Sequence, residues 1–246
     1  MRECLVGPEG TVGVASATLA RYQEFYYDLD RLEVPLGSVF EPERGGNVAE
    51  NFNRLLRDRF HGEWFWVMGD DHRFRPDTLQ RLLAHRVDVV VPVVCRKAPP
   101  FLPVLWKDFR PHTEATQDEV SLYAWSELAL LHGLVPVEAV GSAGMLLSRR
   151  AIESLADPWF ELGLVGGTSL MGEDVWLCVK LIKSGFTVYL DLDTTMGHID
   201  QVTCWPVRGP DGRWRIDGVM RDRRMTFVRP EEALEPIPHL LREVPA

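Results

Sequence analysis

The chain has 246 residues, of which 46% are hydrophobic and 26% are charged, and its formal net charge is −9. That length suffices for one full-sized α/β domain, and the acidic balance gives no general attraction to nucleic acid or anionic membranes. The N terminus lacks a basic region followed by an apolar run, so it does not read as a secretory signal. No apolar stretch approaches the roughly 20 residues of a membrane helix. We therefore expect a cytoplasmic protein with no transmembrane segment.

The first third of the chain alternates strand and helix patterns. Residues 3–6 predict a short strand, and residues 11–29 predict a helix because apolar side chains recur there at helical spacing. A second helix is predicted over residues 47–60. Residues 64–68 are five apolar residues in a row, which is typical of a strand buried inside a parallel sheet.

A polar segment with the sequence Gly-Asp-Asp-His-Arg follows that strand at residues 69–73. Pro76 suits the first turn of a helix, because its missing N–H has no partner there in any case. The buried face of that helix would carry Leu79 and Leu82, and residues 88–94 form the next buried strand. Strand, helix and strand together predict a βαβ unit, so we expect an α/β fold with a mixed, mostly parallel central sheet flanked by helices.

The second half of the chain continues this alternation and ends in a hairpin. We predict strands at 136–140, 144–148 and 186–190, helices at 149–155 and 173–184, and a mobile glycine-rich loop at 162–172. Segments 204–207 and 213–216 flank a Pro-Asp-Gly turn, which indicates a hairpin. We expect one catalytic domain over 1–200, with 201–246 as a hairpin and tail packed on it.

Two carboxylates follow the most apolar strand of the chain. In open α/β sheets, ligands bind beyond the carboxyl ends of the strands, so Asp70 and Asp71 are candidates for holding a hard divalent cation. The alternative is that they only make the loop polar. His198 could supply an imidazole ligand, although a lone histidine is more often structural.

An acidic pair begins the predicted helix at residue 173. Glu173 and Asp174 at a helix start are favoured by the helix dipole, so capping is one interpretation. The other is that one of them is a general base for a sugar hydroxyl. Signatures of competing enzyme classes are absent, since the sequence contains no GxxxxGK[ST], GxSxG or HExxH motif and no GxGxxG after the first strand.

In this order, the segments resemble a bacterial and phage branch of the family 2 glycosyltransferases, which have the GT-A fold. The resemblance covers about residues 37–207. It is carried by the sequence Gly-Asn-Val-Ala-Glu-Asn-Phe-Asn at 46–53, by 64–79, by Val-Gly-Ser-Ala-Gly-Met-Leu at 140–146, by 172–174 and by Met-Gly-His at 196–198. It implies a metal-dependent glycosyltransferase that transfers a sugar from a UDP- or GDP-sugar to a hydroxyl.

The resemblance also implies roles for the acidic residues and the histidine. Asp71 falls on the last carboxylate of the DxD motif and would bind Mn²⁺ or Mg²⁺ together with His198. The first position of that motif is Gly69, a departure from the family pattern, so the ribose contact would pass to Asp70. Asp174 would be the catalytic base, and Glu173 would orient it or the acceptor.

The remaining candidates concern the donor pocket. The resemblance puts Gly141 and Gly144 where backbone approaches the sugar, and Asn53 on a helix facing the nucleotide. Gly7 and Thr11 would line the base pocket. A sugar-phosphate nucleotidyltransferase and a non-catalytic nucleotide-sugar-binding module are the alternatives. The sequence leaves open the acceptor (saccharide, lipid-linked sugar, protein, small metabolite or modified DNA) and the choice between inversion and retention.

Overall fold

A computed structural model describes residues 4–16, 22–97, 100–107, 121–165, 169–200, 203–220, 223–227 and 241–243. These residues form a seven-stranded central sheet, a six-stranded second sheet and three small ribbons. The helices are α1 (Gln23–Arg31), α2 (Val48–Asp58), α3 (Thr78–Ala84), α4 (Trp125–Leu128), α5 (Arg149–Glu153) and α6 (Glu173–Lys183).

The central sheet contains five strands that run in one direction and two that oppose them. In spatial order its strands are β10 (Leu134–Val137), β15 (Val188–Thr195), β7 (Val89–Val93), β12 (Leu146–Ser148), β5 (Trp64–Gly69), β2 (Thr11–Ala15) and β4 (Val39–Glu43). Strands β12 and β10 are the antiparallel members. The predicted mixed, mostly parallel sheet with flanking helices is therefore confirmed.

The second sheet is antiparallel throughout. Its strands in spatial order are β20 (Leu241–Glu243), β19 (Arg223–Phe227), β18 (Trp214–Met220), β17 (Thr203–Arg208), β16 (Gly197–Ile199) and β6 (His72–Arg73). The predicted C-terminal hairpin is confirmed as β17 and β18. It does not stand alone, because it continues a sheet that begins with β6 and β16.

The three small ribbons complete the set of strands. They are β1 (Cys4–Leu5) with β3 (Val34–Pro35), then β11 (Ala139–Val140) with β8 (Leu105–Lys107) and β9 (Ser121–Leu122), and finally β13 (Gly163–Val165) with β14 (Ser169–Met171). None of the described helices is both long and apolar enough to cross a bilayer.

Strand β5 is apolar throughout because both faces of the central sheet are covered. Phe65 and Val67 pack into the core on one face, whereas Trp64, Trp66 and Met68 pack into a separate core on the other. Neighbouring side chains of a strand point to opposite faces, so two apolar layers require an unbroken apolar run. This confirms the interpretation of residues 64–68 as an interior strand.

Helix α2 packs an apolar stripe on the sheet and has a complete N-terminal cap. The side chain of Asn47 accepts a hydrogen bond from the Glu50 N–H, and the Glu50 side chain accepts one from the Asn47 N–H. Such a capping box pairs two N–H groups that the helix itself leaves unpaired. The prediction of a helix over 47–60 is confirmed with slightly narrower bounds.

The sequence-based prediction of a helix over 11–29 is wrong in its first part. Thr11–Ala15 is strand β2, which lies between β5 and β4, and Gln23–Arg31 is helical, while 17–21 lie outside the described residues. All five residues of β2 are buried, so apolar side chains are needed on both faces, and the helical spacing is accidental. Residues 3–6 contain only the short β1, outside the central sheet.

Two predictions for the second half also need correction. The segment 162–172, expected to be a mobile loop, contains the paired strands β13 and β14, while 166–168 lie outside the described residues. The strand expected over 136–140 is divided, because Leu134–Val137 joins the central sheet and Ala139–Val140 turns away to pair with β8.

Candidate functional site

The candidate site lies where β5 ends and the two large sheets meet. After Gly69 the chain turns, with the Asp70 N–H donating to the Ala15 carbonyl at 3.3 Å, and then enters β6. Strand β6 pairs with β16, and His72 lies directly opposite His198. Two segments far apart in sequence are thereby brought together at the carboxyl end of the central strands.

Asp71, His72 and His198 form a cluster that could hold a metal ion. Asp71 Oδ1 lies 2.8 Å from His72 Nδ1, and Asp71 Oδ2 lies 3.3 Å from His198 Nε2. The two imidazole rings stack with centroids 4.5 Å apart. One potential ligand atom from each residue lies within 4.8 Å of the other two, which is close enough for all three to contact one cation.

The orientation of the His198 ring is fixed by its second ring nitrogen. His198 Nδ1 lies 3.0 Å from the Cys95 carbonyl oxygen, which can only accept, so Nδ1 carries the hydrogen. Nε2 is therefore the ring atom that faces Asp71 Oδ2, as a hydrogen-bond donor when it is protonated and as a metal ligand when it is not. Metal-binding histidines are commonly oriented in this way by a backbone carbonyl.

His72 is a member of the cluster that sequence reasoning did not select as a ligand. Its Nε2 atom is buried and has no hydrogen-bond partner among the described residues, and such an atom is costly unless it gains a ligand. His72 follows Asp71 directly in sequence, but its approach to His198 depends on the two-residue strand β6. A strand that short leaves no periodic signal in the sequence.

Three neighbouring side chains stabilise the ionised form of the Asp71 carboxylate. Burial alone would raise the pKa of Asp71, but hydrogen bonds from His198 and His72, and the charges of both rings, hold it well below its usual range. The Lys97 ammonium lies 3.2 Å from Asp71 Oδ2. The carboxylate is therefore ionised and faces several groups that compensate its charge.

Asp174 lies in the first turn of α6 and is partly buried. Burial, and then the neighbouring charge of Glu173, raise the pKa of Asp174 to about 6, against hydrogen bonds from the backbone of Val175 and Ser142. The Val175 N–H donates to Asp174 Oδ1 at 2.7 Å. A carboxylate with a pKa slightly below neutral is ionised at pH 7 and is a better proton acceptor than an ordinary aspartate.

One cavity joins the cluster to Asp174. It has a volume of about 160 Å³, and His72, His198, Ser142 and Asp174 form the polar part of its lining. Val104 and Gly141 also line it. A reacting group bound in this cavity would lie between the imidazoles and the Asp174 carboxylate.

The two glycines of the 140–146 segment have different surroundings. A Cβ atom at Gly141 would lie 2.7 Å from Val104 Cγ1 and 3.6 Å from Asp174 Oδ2, so Val104 packs too closely against this glycine for a larger residue to fit beside the carboxylate. Gly144 has a φ of +74°, and a Cβ there would meet Met196 Sδ at 2.5 Å. Gly144 thus lies in a tightly packed turn and is not part of the cavity lining.

Three sequence-predicted residues, Asn53, Thr11 and Gly7, do not line the cavity beside the cluster. Asn53 binds the backbone of Phe160 through both ends of its amide, at 2.7 and 2.9 Å. Thr11 is at the amino end of β2, where its hydroxyl contacts the backbone of His61, and Gly7 precedes it. At about 3.3 Å per residue, Thr11 is roughly 13 Å from the carboxyl end of its strand at Ala15.

A second cavity, of about 520 Å³, opens at the carboxyl ends of β2 and β4. It is lined by Ser16, Tyr26, Pro42, Glu43 and Arg44. Sequence reasoning missed it because residues 11–15 were assigned to a helix. Assigning them to a strand would have directed attention to Ser16, the next residue along the chain.

Comparisons with known proteins identify the fold. No protein-family model matches the chain, and neither does any curated protein. Among solved structures, the crystal structure of A197 from STIV, a viral protein with a glycosyltransferase-like fold, superimposes with a TM-score of 0.51 at 16% sequence identity. The match covers 86% of this chain and 94% of A197. The chain has a GT-A-like glycosyltransferase fold.

Proposed function

We propose that this protein is a metal-dependent glycosyltransferase that uses a UDP- or GDP-sugar as donor. The observation that carries the proposal is that one cavity is lined both by the two histidines of the metal-binding cluster and by Asp174. A cation-binding group and a proton acceptor on either side of one space are what sugar transfer from a nucleotide diphosphate requires.

Asp71, His72 and His198 would hold the cation. One carboxylate and two imidazoles suit Mn²⁺ better than Mg²⁺, because Mg²⁺ prefers oxygen ligands and Mn²⁺ also accepts nitrogen. When bound, the cation supplies Lewis-acid neutralisation of the charge on the leaving diphosphate. The Cys95 carbonyl keeps His198 Nε2 directed at this position.

Asp174 would act as the general base, with Glu173 raising its basicity. The Asp174 carboxylate takes the proton of the acceptor hydroxyl while that oxygen forms a bond to the anomeric carbon of the donor. The bond between the anomeric carbon and the diphosphate oxygen breaks, and the nucleotide diphosphate leaves with the electron pair. Attack opposite the leaving group inverts the anomeric configuration. Gly141 and Asp174 line the same cavity, which would receive the acceptor.

The nucleoside of the donor would occupy the cavity beyond β2 and β4. Ligands of open α/β sheets bind outside the carboxyl ends of the strands, and this cavity opens at those ends. Glu43 offers a carboxylate for ribose hydroxyls and Tyr26 offers an aromatic ring for a base. Asp70 donates its N–H to Ala15, the residue before Ser16 of this cavity, and it directly precedes Asp71 of the cluster.

A thermal-shift experiment tests the metal and donor parts of the proposal. The melting temperature would be measured with UDP or GDP, with and without Mn²⁺, for the wild type and for Asp71→Asn. We expect one nucleotide to stabilise the wild type only with Mn²⁺, because a ligand that binds the native state raises its stability, and we expect Asp71→Asn to lose this shift. Asp157→Asn is the matched control, because Asp157 pairs with Arg57 on the surface.

An activity screen tests the reaction class. Incubation with UDP- and GDP-sugars and Mn²⁺ should release nucleotide diphosphate slowly by hydrolysis, and faster once an acceptor is found. Pyrophosphate release from a nucleoside triphosphate and a sugar phosphate would instead identify a nucleotidyltransferase. Tight, Mn²⁺-dependent binding of a nucleotide diphosphate with no turnover of any sugar nucleotide would identify a binding module and end the proposal.

A further inference from the structure

Lys97 contacts the same carboxylate oxygen that faces His198. Its Nζ atom lies 3.2 Å from Asp71 Oδ2, and His198 Nε2 lies 3.3 Å from that oxygen on another side. The Lys97 side chain remains 45% exposed, so its ammonium group is free to leave this position. Lys97 is two residues beyond Cys95, whose carbonyl orients His198. One short segment after β7 therefore controls two of the groups around Asp71.

An ammonium and a divalent cation cannot share Asp71 Oδ2 at low cost. Two positive charges a few ångströms apart repel, and partial burial increases that repulsion. Lysine has a flexible aliphatic stem and a point charge with no fixed geometry, so the head group can move while its backbone stays in place. It would remain within reach of the space in front of the cluster.

We infer that Lys97 is an exchangeable cation, which neutralises Asp71 in the metal-free protein and binds the donor diphosphate once a divalent cation has displaced it. The inference rests on the proposed function, because it requires a metal at Asp71 and a diphosphate beside it. Lys97 would thus bind two anionic groups in succession, first the Asp71 carboxylate and then the donor diphosphate. Lys97 is a binding residue for the diphosphate and a competitor of the metal.

The exchange predicts opposite changes in two affinities when the charge of Lys97 is removed. In Lys97→Met without nucleotide, Mn²⁺ should bind more tightly, by about two- to fivefold, the range expected for loss of one partly exposed ion pair. With saturating Mn²⁺, UDP or GDP should bind that variant more weakly by a similar or larger factor. A purely structural role for Lys97 would lower both affinities, and a solvated surface lysine would change neither.

The experiment measures the two affinities separately. Free Mn²⁺ would be followed by its electron paramagnetic resonance signal, and UDP and GDP binding by calorimetry at saturating Mn²⁺. Lys97→Arg should stay near the wild type in both measurements, because it keeps the charge. Lys183→Met is the matched control, because Lys183 is exposed at the far end of α6 from Asp174.

The outcomes separate this inference from the proposed function. A wild type that binds no Mn²⁺ overturns both. A wild type that binds Mn²⁺, with a Lys97→Met variant of equal or lower Mn²⁺ affinity, overturns the exchange alone. Tighter Mn²⁺ binding without weaker nucleotide binding also overturns it, since Lys97 would then have no second partner. Only the pair of opposite changes, absent from Lys183→Met, supports it.

Discussion

Asp174 carries its negative charge in surroundings that disfavour it. Burial and the Glu173 charge raise its pKa to about 6. Because a general base must be ionised, we expect kcat/KM at saturating Mn²⁺ to fall below about pH 6, by up to about tenfold per pH unit. Nucleotide affinity measured over the same pH range is the control, because loss of the metal site would lower that affinity as well. A flat kcat/KM profile between pH 5 and 7 would exclude Asp174 as the base.

Glu173 offers a way to move that pH profile. Removing its charge in Glu173→Gln should lower the pKa of Asp174, since like charges raise each other's carboxyl pKa. The acidic limb of the kcat/KM profile should then shift to lower pH while its slope stays the same. If Glu173 instead binds the acceptor, KM will rise and the limb will keep its position.

Asp174 should also cost the protein stability. Its folded-state pKa exceeds the usual aspartate value of 3.8, so the native state binds the proton more tightly than the unfolded state and loses stability as pH rises from about 4 to 6. The ionised group then costs about 3 kcal/mol at neutral pH. We expect Asp174→Asn to melt several degrees higher than the wild type at pH 7.5 and equally at pH 4. A variant less stable at both pH values would contradict this account.

The sequence indicated some site residues much better than others. Asp71 could be singled out because it follows an apolar strand. His198 could be singled out because it belongs to the Met-Gly-His motif at 196–198. His72 and Lys97 could not, because their roles depend on the pairing of β6 with β16 and on the path of the segment after β7. Asn53 has the polarity expected of a pocket residue, yet its amide is engaged with the Phe160 backbone. A polar residue on a helix does not reveal which neighbour it will meet.

Among the helices, α2 has the strongest local signal for where it begins. Asn47 and Glu50 satisfy each other's backbone N–H groups, so Asn47→Ala should lower the free energy of unfolding by about 1 kcal/mol. Asn47→Asp keeps the acceptor and should preserve stability. Urea denaturation of the two variants measures the difference. Equal losses would show that the cap oxygen contributes little.

Strand β2 shows where sequence periodicity misleads. Its five residues are all buried, so the alternation expected of a half-exposed strand is missing. Apolar residues further along the chain continue the helical spacing, so residues 11–15 were wrongly predicted to be the first part of a helix. Strand β5 was predicted correctly, because its apolar run is followed by Gly69 and two aspartates, which mark where the strand ends. Short interior strands that are not followed by such a polar segment are poorly distinguished from helices by periodicity alone.

At the scale of the whole molecule, the candidate metal cluster of Asp71, His72 and His198 depends on how the two large sheets are joined. A Cβ atom at Gly197 in β16 would lie 2.6 Å from Trp205 Cε3 and 2.9 Å from Thr203 Cγ2. Gly197→Ala should therefore push β16 and β17 apart, destabilise the protein by about 1–3 kcal/mol and weaken Mn²⁺ binding without removing a ligand. Gly7→Ala is the control, because among the described residues a Cβ there meets Pro35 at 3.7 Å, an ordinary contact. Unchanged Mn²⁺ affinity in Gly197→Ala would show that the cluster tolerates movement of β16.

The direct pairing of His72 with His198 has a consequence for how this protein can vary. Since adjacent residues of a strand face opposite sides, inserting or deleting a single residue in either short strand would turn one imidazole away from its partner. Asp71 and His198 are 127 positions apart in the chain, and β16 lies in the same sheet as the C-terminal strands β17 to β20. Length changes should therefore accumulate in the connections between the strands β17 to β20, whereas the two-residue strand and its partner should keep their length in any related protein that retains the candidate cation site.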